Sequence, residues 1–399
     1  GQRHGCGRQR LRARLPGAEA RLHAERRLVA DGNGRLCAQG LCRFQDNLIH
    51  LIYDFANAHL YRASVPLDTE RMGVVATGGY GRGLLAPGSD IDLLFLLPHK
   101  QTAWGESVVE ATLYMLWDLG LKVGHAVRTV EQSVRAAEDD MTIRTAGLDS
   151  RSILGDQSLF DELSRRFAND VVRGTATPFF EAKLAERDER HKRSGSSRYL
   201  VEPNIKDGKG GLRDLHTLHW LTRYLAVGSG AADGTESSIF TRAEQITFRR
   251  CEDFLWTVRC HLHFLTGRPE ERLSFDLQPE MATRMGYTAR QNVTAVERFM
   301  KRYFLAAKEV GALTRILCAK LEIDEKKRPG GRPRLIPAAA AKPLKEEGFA
   351  IDGGRLSITN PGMFVADTRK LMRLFWLANE RSIDIHPEAM TAARRSPAA

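Results

Sequence analysis

The sequence lacks any long hydrophobic run. Nothing among its 399 residues reaches the roughly 18 consecutive apolar residues that a membrane span needs. Basic residues occur near the amino terminus, but no apolar core follows them, so the pattern is not that of a secretory signal. We therefore expect no membrane among the partners of this protein.

Paired cysteines are also missing. The sequence contains 6 cysteines, and none of them forms a CxxC pair. Such scattered usage predicts reduced thiols in a cytoplasmic protein, and it argues against a disulfide framework or a zinc knuckle. The cysteines are Cys6, Cys37, Cys42, Cys251, Cys260 and Cys318.

Basic residues are in excess over acidic ones. Lysine and arginine number 60 against 49 acidic residues, which gives a formal net charge of +11 at pH 7. This balance favours an acidic partner, such as a nucleotide, a nucleic acid or an acidic protein face, although general solubility explains it equally well. The basic first part of the chain contains no aromatic residue that could stack on a base. No nucleic acid is therefore expected as a partner.

Hydrophobic periodicity divides the chain into parts. Its length and its 42% hydrophobic content suffice for two or three packed units. Strand patterns at 73–77, 90–98 and 123–130 alternate with helical patterns, which indicates an α/β domain. The predicted parts are an N-terminal helical segment (1–62), this α/β domain (63–156), a helical domain (157–325), a basic Pro/Gly/Ala-rich linker or loop (326–345) and a C-terminal hairpin-plus-helix segment (346–399).

The stretch GGYGRGLLAPGSD joins the first two strand patterns. Gly78 and Gly79 end a predicted strand, where bare backbone N–H groups can approach a polyphosphate closely. Arg82 offers a fork of donors suited to phosphate oxygens. Ser89 is a further candidate for nucleotide binding.

Two aspartates follow in the sequence DIDLLFLLP. Asp90 and Asp92 lie two residues apart on the predicted strand, so both side chains are expected on one face. Two like charges held this near favour a cation between them, and Mg²⁺ takes carboxylates together with substrate phosphates. The spacing from the glycines predicts a metal-dependent phosphate site. The alternative is a solvated strand start beside a turn.

A second motif, VEPNIKDGKGGLRDLHTLHWL, begins at Val201. It places Lys206, Lys209 and Arg213 around a glycine-rich turn, and a helix is predicted to begin near Leu212. Glycines and cations at a helix start could clamp phosphates. A basic loop that merely caps the helix is the alternative.

Taken together, GGYGRG followed by DIDLLFL, the strand VGHAVRT and the second motif resemble the bacterial protein-PII uridylyltransferase/uridylyl-removing family of the nucleotidyltransferase superfamily. The resemblance runs from about residue 25 to the C-terminus, and the second motif is its most specific part. It implies an α+β protein, with a polymerase-β-like nucleotidyltransferase domain built on a small mixed sheet and a helical domain after it.

The resemblance also implies an activity. Family members transfer UMP from UTP to a tyrosine of the nitrogen-regulatory protein PII, so UTP and PII are the expected partners and Mg²⁺ the expected cofactor. In the family, a separate HD-type domain removes the UMP and ACT domains sense glutamine. We found no H…HD…D cluster here, and His216 and His219 are interpreted as core or surface helix residues. The chain begins with glycine and stops where the HD domain would start, which predicts a fragment without those two activities.

The match to the family is incomplete at two points. Leu84 stands where the family commonly has an acidic residue, so a local contact is expected to differ. The family site usually has a third carboxylate, and Asp149 is the candidate for this catalytic role, with Asp139 and Asp140 as competitors.

Two other functions remain open from the sequence. One is a related nucleotidyltransferase that acts on another protein or uses another nucleotide, as in adenylyl transfer. The other is a non-catalytic module that binds a nucleotide or PII. The intact pair Asp90 and Asp92 argues against the second, because a retired site has no chemical need for either acid.

Overall fold

The structure is a computed structural model, and it falls into two compact units, Gly1–Val310 and Gly311–Ala399. None of the described helices holds an 18-residue window apolar enough to cross a membrane. The described residues are 19–61, 70–99, 101–194, 197, 199–230, 240–326, 342–344, 348–352, 355–360, 362–381, 383 and 385–394.

Most helices and all strands of the central sheet belong to the first unit. The elements of the first half of the chain are α1 (described over 19–31), α2 (Gly34–Phe55), β1 (Gly73–Ala76), α3 (Gly78–Gly81), β2 (Ile91–Leu97), α4 (Ala103–Asp118), β3 (Val123–Thr129), α5 (Val130–Asp139), α6 (Met141–Leu148), β4 (Arg151–Gly155), α7 (Gln157–Arg166) and α8 (Ala176–Arg193). They are followed by α9 (Leu212–Ser229), α10 (Arg242–Thr266), α11 (Gln278–Arg284) and α12 (Ala295–Lys326), in which the boundary between the units falls.

The central sheet has four strands in the order β3-β2-β1-β4. Strand β1 pairs antiparallel with β2 and β4, whereas β2 and β3 run parallel. The β-branched and large apolar residues of β1 and β2 form the middle of the sheet, where Val74, Val75 and Phe95 are fully buried. The predicted α+β class with a small mixed sheet is confirmed.

Local sequence signals explain several element ends. Asn33 caps α2, because its side chain accepts a hydrogen bond from the N–H of Leu36. Thr129 ends β3 and at once begins α5 through a capping box with Gln132. The helix predicted to start near Leu212 does so, after Gly211.

The second unit contains a three-stranded sheet in the order β5-β6-β7 and three short helices. Its core contains Phe349, Leu356, Phe364 and Leu374. Its elements, beyond the end of α12, are β5 (Lys342–Pro343), β6 (Phe349–Asp352), β7 (Arg355–Ile358), α13 (Met363–Ala366), α14 (Arg369–Glu380) and α15 (Pro387–Arg394).

Some predicted features fall outside the described residues. These are residues 1–18 of the N-terminal segment, most of the linker (327–341 and 345), and residues 346–347 and the two hairpin-turn glycines of the C-terminal segment. The hairpin strands themselves are present, since β6 and β7 pair antiparallel. The five-part domain division stays a prediction.

Candidate active site

The two aspartates lie at the start of β2, beside the turn that follows β1. Asp92 is the second residue of β2, and the backbone N–H of Thr77 donates to its carbonyl oxygen over 3.0 Å. Asp90 lies directly before the strand. The prediction that both aspartates belong to the strand is wrong for Asp90, because the pairing with β3 begins only at Ile91 opposite Val123.

Two glycines leave room for the carboxylate of Asp92. Gly78 has a φ of +56°, and a Cβ atom there would lie 3.3 Å from Oδ2 of Asp92. Gly124 is paired with Asp92 across β2 and β3, and a Cβ atom there would lie only 2.6 Å from Oδ1. Any larger residue at position 124 would therefore displace the carboxylate.

Desolvation and like charge act together on the aspartate pair. Asp92 is exposed to solvent, but desolvation by the surrounding protein atoms and, secondly, the charge of Asp90 raise its pKa above the ordinary value. A divalent cation would relieve both effects. Among the described residues there is no group of three or more His, Cys, Asp or Glu side chains arranged for a metal. The pair thus fits an ion that takes its other ligands from phosphates and water, as Mg²⁺ commonly does.

The predicted site residues meet at one large cavity. It measures about 1390 Å³ and lies within the first unit. Lys209 is not part of its lining, so the cavity does not support the nucleotide-binding role predicted for that residue. All the other predicted residues do line it: Gly78, Gly79, Arg82, Ser89, Asp90, Asp92, Asp149, Lys206 and Arg213.

Asp149 is buried in the cavity wall and holds Arg82. Its Oδ2 accepts hydrogen bonds from Nη1 of Arg82 over 2.5 Å and from Nε1 of Trp220 over 2.7 Å. Its Oδ1 lies 3.5 Å from Nε2 of His219. Burial raises the pKa of Asp149, but hydrogen bonding from His219 and the charge of Arg82 outweigh it, so the pKa lies below its ordinary value. The carboxylate is therefore ionised and fixes Arg82 in place.

The two competing acids do not line this cavity. Asp139 is the exposed last residue of α5. Asp140 caps α6, since its Oδ1 accepts from the N–H groups of Thr142 over 2.6 Å and Ile143 over 3.0 Å. Neither Asp139 nor Asp140 therefore brings its carboxylate to the pair Asp90 and Asp92.

We expect Asp149→Asn to lower the free energy of unfolding by about 2 kcal/mol, because Arg82 loses its charged partner. The pKa of Asp149 is depressed in the folded state. The wild type should therefore have the higher free energy of unfolding at neutral pH, and this difference should disappear as the pH falls through that pKa. Denaturant unfolding at several pH values measures this, with the exposed Asp139→Asn as control. Equal stability of the two variants at neutral pH would contradict the assignment.

Helix α9 contributes a cavity face that the sequence analysis recognised only in part. Arg213, His216 and Trp220 line the cavity at helical spacing. Trp220 is surrounded by cations: Nζ of Lys183 lies 4.6 Å from its ring, and the guanidinium groups of Arg82 and Arg213 each lie 5.8 Å away. The three- and four-residue spacing was a usable signal for this face. No local signal pointed to Lys183, which lies on α8.

The segment that leads into Asp90 is braced by α10. The backbone N–H of Gly88 donates to Nδ1 of His263 over 3.2 Å, and Nη2 of Arg259 lies 3.5 Å from the hydroxyl of Ser89. Glu271 in turn binds Arg259 through two nitrogens. Burial lowers the pKa of His263, so its ring is neutral and Nδ1 can accept. These residues hold Ser89 next to the aspartates.

The glycine-rich turn before α9 is ordered by two polar side chains. Oδ1 of Asn204 accepts from the backbone N–H groups of Lys206 and Asp207 over 3.0 and 2.7 Å. Oδ2 of the buried Asp214 accepts from the N–H of Gly210 over 2.8 Å, while its Oδ1 accepts from Arg190 over 2.6 Å. The second sequence motif therefore folds into a turn that directs Lys206 towards the cavity lining.

The lining thus combines the carboxylate pair beside the sheet with nine cations from helices and connecting segments, and most of these cations are paired with other acidic residues. Such a surface suits a polyphosphate, because the cations neutralise phosphate charge and the carboxylates hold a metal against it. The cations of the lining are Arg82, Lys122, Lys183, Arg190, Arg193, Lys206, Arg213, Arg259 and Arg272.

Comparison with known families agrees with this geometry. Residues 67–150, which contain the aspartate pair, match the model of the nucleotidyltransferase domain. Domains of this class generally use a divalent metal. Residues 178–318, which contain the glycine-rich turn and helices α9 and α10, match the model described as GlnD PII-uridylyltransferase. The chain belongs to the family of bifunctional uridylyltransferase/uridylyl-removing enzymes.

Several curated members are similar along nearly the whole chain. The uridylyltransferase/uridylyl-removing enzyme of Bradyrhizobium sp. (strain ORS 278) is 55% identical over 393 residues, which is 97% of this chain and 42% of that protein. The enzyme of Rhodopseudomonas palustris is 55% identical over 95% of this chain and 41% of that protein. The enzyme of Phenylobacterium zucineum is 54% identical over 94% and 40%. The chain therefore spans about two fifths of the length of these relatives.

Proposed function

We propose that this chain transfers UMP from UTP to a tyrosine hydroxyl of the PII protein and releases pyrophosphate. The observation that carries the proposal is the pair Asp90 and Asp92 in a cavity whose lining also contains nine lysine and arginine side chains. The relatives' name, uridylyltransferase, supports uridine as the base and PII as the acceptor. No disulfide joins the cysteines of the described part of the chain, which supports a location in the reducing cytoplasm.

Asp90 and Asp92 would hold Mg²⁺. When bound, this ion would neutralise charge on the triphosphate and lower the pKa of the attacking hydroxyl. Gly78 and Gly79 leave the backbone open to the phosphates. Arg82, fixed by Asp149, attracts the same phosphates.

Lys206 and Arg213 add two further positive charges to the cavity, and Ser89 adds a hydroxyl. The tyrosine oxygen attacks the α-phosphorus, and the bond from this phosphorus to the pyrophosphate oxygen breaks. The phenolic proton leaves to solvent. The contacts of Asp149 support a positioning role through Arg82, and its role as a third catalytic carboxylate stays a prediction.

The test is incubation of the purified chain with PII, Mg²⁺ and UTP labelled at the α-phosphate. We expect label on a PII tyrosine, stoichiometric pyrophosphate release and loss of both on chelation of the metal. A parallel incubation with labelled ATP in place of UTP serves as the nucleotide control.

Three outcomes would contradict the proposal. Labelling from ATP instead of UTP would indicate an adenylyltransferase. Labelling of another protein in place of PII would indicate a different acceptor. Binding of UTP or PII without any pyrophosphate release would indicate a non-catalytic module.

A further inference from the structure

His216 is a buried histidine with no hydrogen-bond partner at either ring nitrogen among the described residues. It lies on α9, it is only 4% exposed, and it lines the active-site cavity. An imidazole must carry one N–H donor and one acceptor when neutral, and leaving both unpaired in a protein interior costs free energy. A polar side chain kept in this state at a cavity indicates that a ligand supplies the partner.

A second buried donor without a partner among the described residues belongs to Arg82, which also lines this cavity. Nη1 of Arg82 is bound by Asp149, but the buried Nε of Arg82 has no hydrogen-bond partner in the described part of the chain. Arg82 and His216 also share the lining of a neighbouring cavity of about 500 Å³, together with Leu84. The two side chains therefore occupy one wall between the two cavities.

The surrounding charges restrict what this ligand can be. Burial and, after it, the charges of Arg82, Arg213 and Arg259 lower the pKa of His216, so its ring is neutral. A metal ion is disfavoured at the ring nitrogens, because three positive charges repel it. An anionic oxygen is attracted by the same charges, and it accepts a hydrogen bond from the imidazole and from Nε of Arg82.

We propose that His216 donates a hydrogen bond to a phosphate oxygen of the bound triphosphate, beside Nε of Arg82. The inference rests on the proposed function, since it takes the triphosphate as the occupant of the cavity. It assigns His216 to the polyphosphate part of the nucleotide and not to the base. The burial of His216 on α9 agrees with its interpretation as a core helix residue, and the proposal adds a binding role to it.

The test is calorimetric titration of the folded chain with two probes, UTP and inorganic tripolyphosphate, each in the presence of Mg²⁺. His216→Phe keeps a ring and removes both nitrogens, and we expect about 10- to 100-fold weaker binding of both probes. His216→Gln keeps an N–H donor and should recover most of the affinity.

The matched control is His261→Phe. His261 is equally buried, with an unpartnered Nδ1 among the described residues, but it lines neither cavity. Its substitution should leave both affinities within about twofold of the wild type.

Two results would overturn the proposal. Unchanged binding of both probes by His216→Phe would exclude any contact, and weaker binding of UTP alone would place His216 against the nucleoside. If His216→Phe does not fold, ¹⁵N spectra of the wild-type imidazoles decide the question. The signal that is missing in His216→Gln should shift on addition of tripolyphosphate, and a stationary signal contradicts the proposal. None of these measurements uses PII, so failure of the transfer reaction would refute the proposed function separately.

Discussion

Asp92→Asn is expected to reduce uridylyl transfer on the order of 10³-fold, because it removes a charged oxygen from the pair proposed to hold the metal. The same substitution should raise the Tm of the metal-free protein. The pKa of Asp92 is raised in the folded state by desolvation and by the charge of Asp90. The ionised carboxylate therefore destabilises the metal-free fold once the pH exceeds the pKa of an unfolded aspartate, and the penalty is complete above the folded pKa.

Transfer of label from UTP and thermal unfolding with and without Mg²⁺ measure the two effects. Mg²⁺ should raise the Tm of the wild type and leave that of Asp92→Asn unchanged. Asp54→Asn, at an exposed position of α2, is the control and should behave as the wild type in both assays. Two results would contradict this prediction: a lower Tm of Asp92→Asn than of the wild type without metal, or full transfer activity of the variant. Either result would show that the two carboxylates do not repel each other in a metal-binding site.

Gly124→Ala should reduce transfer by about 10²-fold while the protein remains folded, because misplacement of a catalytic group by about 1 Å has an effect of this size. The added methyl group would lie 2.6 Å from Oδ1 of Asp92, and the carboxylate must move to accommodate it. Residue 124 itself carries no chemistry. The activity loss thus tests the orientation of Asp92 without changing its charge.

Steady-state transfer rates and circular dichroism check this prediction. Gly40→Ala is the matched control, since a Cβ atom at Gly40 of α2 would meet nothing within 4 Å. The loss at Gly124 should appear in kcat more than in KM for UTP. Wild-type activity of Gly124→Ala would show that the transfer rate does not depend on the orientation that the Asp92 carboxylate adopts beside β3.

Features set by neighbours in the chain were predicted well. Glycines after a β-branched run, then DIDLLFL, indicated two successive strands with the aspartates at the start of the second, and β1 and β2 are these strands. The start of α9 after Gly211 followed from a glycine turn and a helical apolar pattern. These features depend on backbone conformation and on periodicities of 2 and 3.6 residues, which a short stretch of sequence already contains.

Contacts between distant residues could not be predicted in the same way. The bond from Arg82 to Asp149 spans 67 residues, and the bond from Trp220 to Asp149 spans 71. Gly124 is important only because β3 lies parallel to β2, and a sequence pattern does not say which strands become neighbours. Lys209 was predicted to bind the nucleotide from its position in the glycine-rich motif, but it does not line the cavity.

The sequence by itself therefore determined the strand–turn–strand unit, its carboxylate pair and the family, because these depend on short stretches and their order. Only the tertiary structure decided which side chains face the cavity. In the folded chain, Asp149 is buried against Arg82, His216 lines the cavity and Gly124 lies against Asp92. The physical reason is that burial, desolvation and hydrogen-bond partners are properties of the packed chain, in which residues far apart in sequence become neighbours.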